Sequence, residues 1–363
     1  MTQPTDRRFW APQALAAREA RLAIRARILS ATRRWFDAAG FTEVETPALQ
    51  LSPGMEPHLG VFETRLLPPG AHALDAAEAG ARRYLHTSPE FAMKKLLAGG
   101  RDLAAFRRIW QLAPVFRNAE GSGRHSPEFR MLEWYRAEAA YLDLIDDCRG
   151  LLSAAAEVAG TPLFRAGDRV CDVSARWERI SVAEAFERWV GLDLPALTQG
   201  DPSDPDAAPM IEAARGLGLR AADDDRWEDA FFRILEARVE PHLGADRPTA
   251  LHSYPISMAA LSRPSADDPA TAERFELYVA GVELANAFGE LADAGVQRAR
   301  FEADRALHER LYGRPAPPID EGFLEAVETL PPRAAGIALG FDRLVMLATG
   351  ADDIREVQWA WVE

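Results

Sequence analysis

The chain has 363 residues, 48% hydrophobic and 27% charged, the balance of an ordinary globular protein. A net charge of −14 argues against holding nucleic acid mainly by its phosphates, which requires a basic surface. No run of apolar residues is long enough for a membrane span, and the N-terminus lacks the apolar core of a signal peptide. Two cysteines, Cys148 and Cys171, make no disulfide framework, so the expected location is cytoplasmic. Arginine supplies nearly all the positive charge. The only lysines are Lys94 and Lys95, which with the N-terminus are the few amines open to self-modification.

Residues 13–39 carry apolar side chains at helical spacing and predict one long amphipathic helix ending at Gly40. "FTEVETPAL" then predicts a strand closed by proline. Residues 51–83 mix short strand-like pieces with Pro- and Gly-rich loops. "SPEFAMKKLLAGG" enters a helix at Ser-Pro-Glu and leaves it on glycines. Residues 106–117 and 129–136 predict two antiparallel strands joined by a polar loop. Residues 140–250 read as mostly helical, with an acidic, Pro-rich interruption at 200–208. Residues 275–291 predict a hairpin turning at Ala280-Gly281, 297–312 a helix, and "GIALGFDRLVMLATG" a strand running into a helix. The fold class is α+β: an antiparallel sheet flanked by helices in a single domain, 1–363, with a helical insertion at about 140–250. No GxxxxGK[ST] occurs and no alternating βαβ pattern, which excludes a P-loop or Rossmann nucleotide site.

Three stretches carry chemistry. In "FRNAEGSGRHSPEF" (116–129), Arg117 stands at the end of a strand, where a guanidinium can form a two-pronged pair with a phosphate. Arg124 and His125 can approach the same anion from across the loop. Glu276, Glu283 and Glu290 are spaced by seven. A turn at 280–281 puts Glu276 and Glu283 on one face as diagonal neighbours, a place for Mg²⁺ bridging phosphates. Glu290 has the opposite parity and must project differently. In "GIALGFDR", Gly340 allows close approach of a ligand, and Arg343 opens a helix whose dipole also favours an anion. Two phosphate-seeking arginines and a carboxylate pair, with no P-loop, predict an ATP site on an antiparallel sheet.

These stretches resemble the catalytic domain of class II aminoacyl-tRNA synthetases. "GFTEVETPAL" is similar to motif 1, "VFRNAEGSGRHSPEF" to motif 2 and "GIALGFDRLVML" to motif 3. "TSPEFAMKKLL", "PEFRMLEWYRA" and "ELANAFGEL" resemble the lysyl type. Motif 1 begins by residue 40, which leaves no room for the anticodon-binding OB domain of a lysyl-tRNA synthetase. That shape, "EVETPALQLSPGMEPHLGVFETRL", "IDEGFLEAV" and Ala338 in place of the synthetases' glycine resemble the paralogue family that attaches lysine, preferably (R)-β-lysine, to elongation factor P.

The resemblance implies activation of lysine as an adenylate with ATP and Mg²⁺, and transfer to a lysine of elongation factor P. It also implies a homodimer built through motif 1, with neither membrane nor tRNA as partner. By resemblance Arg117 holds the α-phosphate and Arg343 the γ-phosphate. Asn118, Glu120, Arg124, His125, Ser126, Glu283, Leu284 and Gly340 complete the ATP site. Glu276 and Glu283 hold the metal. Ser88, Pro89 and Glu90 meet the substrate's α- or β-amino end, Tyr135 and Glu290 its ε-ammonium, and Asn286 and Ala338 wall the pocket. Motif 2 departs from the synthetase pattern at Ala119, where a glutamate that reads adenine is usual; adjacent Glu120 is the expected substitute. Ser126, Ala287 and Gly289 depart too, without removing a charged anchor. Two other readings remain: a shortened lysyl-tRNA synthetase, and a non-catalytic regulatory subunit.

Overall fold

The computed structural model describes residues 8–71 and 80–363. Its long N-terminal helix, α1 (Pro12–Ala38), buries one stripe that includes Leu22, Arg25, Ile28 and Phe36. Gly40, at φ +74°, reverses the chain after it, a conformation that suits glycine. "FTEVETPAL" is not one strand. Pro47 lies between two two-residue strands in different sheets: β1 (Thr42–Glu43) joins the main sheet, and Leu49–Gln50 joins a small three-stranded one. Proline has no N–H to donate to a ladder, so the strand breaks there.

The main sheet has eight strands. After β1 come β2 (Arg108–Phe116), β3 (Glu128–Arg136), β4 (Glu178–Ser181), β5 (Thr249–Pro255), β6 (Thr271–Val279), β7 (Val282–Gly289) and β8 (Ala335–Gly340). The order across it is β1-β2-β3-β8-β7-β6-β5-β4. Only the outer pairs, β1 with β2 and β4 with β5, are parallel; the middle is antiparallel. The 140–250 segment is thus not simply helical, because it supplies β4 and the start of β5. Four-residue strands carry too short a pattern to stand out from neighbouring helices.

One sheet face rests on an apolar core under α1, α3 (Leu144–Ala159) and the C-terminal helix α6 (Phe341–Thr349). Phe36 of α1 stacks on Trp110 with ring centroids 4.5 Å apart and meets Trp134 edge-on. The opposite face opens into a cleft. It is bounded by α2 (Glu90–Gly99), by the loop between β2 and β3, and by α4 (Ala294–Tyr312) and α5 (Glu321–Val327). Strand parity sorts the two faces: Leu132 and Trp134 go to the core, Glu133 and Tyr135 to the cleft. Both cysteines are free and buried, and burial pushes both thiols up. Among the described residues no helix is long and apolar enough to cross a membrane.

Candidate active site

The cleft face carries a row in register, four polar side chains around one alanine: Gln111, Glu133, Ala338, Asn286 and Glu276 stand opposite one another on five consecutive strands. The β6–β7 hairpin turns at Ala280-Gly281, both at positive φ, as the two-residue turn requires. Tyr278 pairs with Glu283, but Leu277 pairs with Ala285, so Leu284 is an unpaired bulge. That extra residue flips the parity of the strand. Glu283, Asn286 and Glu290 therefore share the cleft side, which resolves the parity problem of the glutamates spaced by seven. The same bulge corrects the expectation for Leu284. Its side chain lies in the core, not at an ATP site.

At one end of the cleft the motif 2 loop meets the start of α6. Arg117 lies over the Phe129 ring, 5.3 Å from its centroid, and its buried Nε has no hydrogen-bond partner. The aromatic flanking the loop is thus a platform that aims the guanidinium. Arg343 donates from Nη1 to the Glu283 carbonyl at 2.8 Å, and from Nη2 to His125 Nε2 at 2.7 Å. Burial and the positive charge of Arg343 lower the His125 pKa, so the imidazole is neutral and accepts that bond. Ser122 Oγ lies 2.8 Å from His125 Nδ1 and fixes the ring. Glu120 has a buried, unpartnered Oε2. Asn118 is engaged within the protein: Oδ1 accepts from the Ala119 N–H at 2.8 Å and Nδ2 points at the Val61 carbonyl at 3.4 Å, so it shapes the loop. Ala119 takes φ +63° in that turn. Ser126 is buried behind it, and Arg124 is exposed on the rim.

The carboxylates on β6 and β7 differ from each other. Glu276 is saturated: Arg274 donates to Oε1 at 2.6 Å, and Tyr254 and Tyr278 donate to Oε2 at 2.7 and 2.8 Å. Glu283 accepts no comparable bonds. Arg343 Nη1 stands 3.9 Å from its Oε2, and burial, then the charge of Glu276, push its pKa up against the pull of Arg343, Arg274 and Arg117. Among the described residues no group of three or more His, Cys, Asp or Glu is arranged as a metal site. Mg²⁺ commonly takes one or two carboxylates plus phosphate oxygens, and Glu283 fits that use. Glu276 fits it only on releasing one of its donors.

At the other end lies a buried acidic pocket. Ser88 Oγ donates to Glu133 Oε1 at 2.5 Å and accepts from the Glu90 N–H at 3.1 Å, with Pro89 capping α2 between them. Tyr135 donates to Glu133 Oε2 at 3.0 Å. Burial, and then the charge of Glu90, push Glu133 up to about 8, against the pull of those two hydroxyls. Glu90 and Glu290, which the resemblance gives to the substrate's amino groups, are both engaged within the protein. The ammonium of Lys94 lies 2.6 Å from Glu90 Oε1 and contacts Glu290 Oε2. Burial alone would lower Lys94, but Glu290 and Glu90 outweigh it and keep it charged. Asn286 Oδ1 and Glu290 Oε1 are buried without partners. Self-modification at Lys94 is therefore disfavoured, and Lys95 is paired with Asp320 at 2.6 Å. Sequence reasoning missed Glu133 and Lys94.

Gly336 separates Tyr135 from Glu290. A Cβ there would fall 2.2 Å from Tyr135 Cε1 and 2.4 Å from Glu290 Oε1. Gly336→Ala is expected to displace both and to raise KM for the amino acid about tenfold, from an overpacking cost of about 1–3 kcal/mol. An unchanged KM would show that neither side chain meets the substrate. Gly289 has a local reason too, since a Cβ there would meet Glu273 Oε2 at 2.2 Å, in its ion pair with Arg263.

The model of the class II tRNA synthetases (D, K and N) matches residues 8–359. Among curated proteins the chain is similar to enzymes named elongation factor P–(R)-β-lysine ligase. That of Yersinia enterocolitica is 39% identical over 350 residues, 96% of each chain. That of Proteus mirabilis is 38% identical over 350 residues, also 96% of each. That of Klebsiella pneumoniae subsp. pneumoniae is 39% identical over 335 residues, 92% of each. With its antiparallel sheet, its arginine-lined cleft and these relatives, the chain belongs to the class II tRNA synthetase (D, K and N) family, alongside the elongation factor P–(R)-β-lysine ligases.

Proposed function

We propose that this protein activates lysine, preferentially (R)-β-lysine, with ATP, and transfers it to a lysine of elongation factor P. The observation that carries the reading is the shared cleft: arginines poised for phosphate at one end, and a buried pocket of Glu90, Glu133, Glu290 and Tyr135 suited to ammonium groups at the other. The substrate carboxylate lies between them and attacks the α-phosphorus of ATP as pyrophosphate leaves. The lysine amine of the acceptor then attacks the acyl carbon and AMP departs. Arg117 would bind the α-phosphate and stabilise its developing charge, and Arg343 would grip the γ-phosphate. Glu120, with its unpartnered oxygen, would accept from the adenine amino group. Mg²⁺, held through Glu283, would neutralise phosphate charge. Positioning supplies much of the rate.

Incubating the protein with elongation factor P, ATP and (R)-β-lysine is expected to add one lysyl mass to a single acceptor lysine, read by intact-mass and peptide mass spectrometry. Charging of tRNA with no gain on the protein acceptor would contradict the reading. A cytoplasmic homodimer formed through the motif 1 region accompanies it. Leu49 and Leu51 are exposed there, and light scattering at micromolar concentration would reveal a monomer if the assembly is wrong.

Ionisation of Glu133 gives a pH prediction. Below about pH 8 the empty pocket holds a proton that an incoming ammonium must expel. KM for lysine is expected to fall as pH rises through that range, and Glu133→Gln should flatten the profile. The same raised pKa makes a stability contribution that is complete below 4.5, the group's ordinary value, and lost as pH rises through about 8.

A further inference from the structure

Lys94 is 1% exposed, unusual for a residue type that almost never leaves water unless paired. Its two partners lie far apart in the chain: Glu90 is one turn back on the same helix, α2, and Glu290 follows directly after β7. Glu90 and Glu290 face two different amino groups of the proposed substrate, yet one resident ammonium already joins them. Glu133 is the third buried carboxylate of the pocket. Glu56 stands outside this trio at the exposed rim, where burial of its carboxyl and then the charge of Glu90 push its pKa up, against the pull of Arg117.

We infer that Lys94 is a specificity-determining positioning residue: its ammonium clamps Glu90 to Glu290 and cancels one of three buried carboxylates, so that the pocket matches an amino acid carrying two ammonium groups. The inference rests on the lysine-activating reading of the site. With all three carboxylates ionised, Lys94 leaves two of them uncompensated. An adenylated lysine has spent its own carboxylate in the anhydride and brings two ammonium groups, so the charges balance inside a dry pocket. The clamp also leaves Glu290 Oε1 free of any protein donor, next to Tyr135 across Gly336. Without Lys94, Glu90 and Glu290 repel each other, and both lose their ion-pair partner.

The test is ATP–pyrophosphate exchange by the full chain, comparing wild type with Lys94→Met, which keeps the bulk and removes the charge. KM for lysine is expected to rise about tenfold or more while KM for ATP stays within about twofold. In Lys94→Ala, n-propylammonium, which replaces the missing atoms, should lower KM for lysine again, and n-propanol should not. An unchanged KM for lysine in Lys94→Met overturns the inference. So does a parallel change in both KM values and kcat with a lowered melting temperature, which a packing role alone would produce. If Lys94→Met does not fold, Lys94→Ala prepared in propylammonium carries the test: dependence on the amine but not the alcohol supports the inference, and an equal response to both overturns it. A wild-type enzyme without lysine-dependent exchange overturns the underlying reading as well, which separates that failure from an idle Lys94 in an active enzyme.

Discussion

Arg343→Ala is expected to lower kcat/KM for ATP-dependent activation by about 10²–10³-fold, equivalent to about 2.7–4 kcal/mol of lost electrostatic stabilisation. The guanidinium is held from two sides before any ligand arrives, by the Glu283 carbonyl and by His125. It therefore meets a phosphate without reorganising, and that preorganisation is what a truncated side chain cannot replace. Arg343→Lys should recover little, because a point charge cannot keep a two-partner fork. The side chain is about one-quarter exposed and supports no core, so the melting temperature should barely move. A loss below about threefold in steady-state kinetics would remove Arg343 from the phosphate site.

The second large effect is on stability. Asp342 is 1% exposed and ties α1 and β3 to the start of α6. Its Oδ1 accepts from Arg25 of α1 at 2.5 Å, and its Oδ2 accepts from the backbone N–H of Arg130 on β3 at 2.7 Å. Arg25 also lies over the Phe341 ring, 5.1 Å from its centroid. Asp342→Ala leaves a buried guanidinium and a backbone N–H without their acceptor. The expected cost is about 3–5 kcal/mol, a large share of the stability of a typical domain. Chemical denaturation would show it as a lowered midpoint. Removing both charges in Arg25→Met with Asp342→Ala should be milder than Asp342→Ala alone, because the uncompensated charge is gone. A single variant as stable as wild type would mean that α1, β3 and α6 are held together elsewhere. Since Arg343 is the next residue, the same carboxylate also fixes the helix start from which that guanidinium projects.

Much of this arrangement is legible in the sequence because its signals are local. The apolar stripe of α1, the positive-φ turn at Ala280-Gly281 and the polar loop between β2 and β3 each sit within a few residues. Glu133 was legible in principle: it stands two residues before Tyr135 on one strand, and strand parity puts both on one face. The pairing of Glu90 with Lys94 could be read from helical spacing. That Glu290 joins them could not, because it depends on the bulge at Leu284, and nothing in "VELANAFGE" announces an extra residue. The saturation of Glu276 likewise required knowing that Tyr254, on another strand, faces it. The edge strand Glu178–Ser181 was hidden by its length.

We expect this cleft to activate lysine. Amino-acid-dependent ATP–pyrophosphate exchange tests it most directly, with (R)-β-lysine, L-lysine and uncharged amino acids compared and Arg117→Ala as control. Exchange is expected with the lysine isomers, strongest with (R)-β-lysine, and none once Arg117 is removed. Absence of exchange with every amino acid, or equal exchange with an uncharged one, would contradict it.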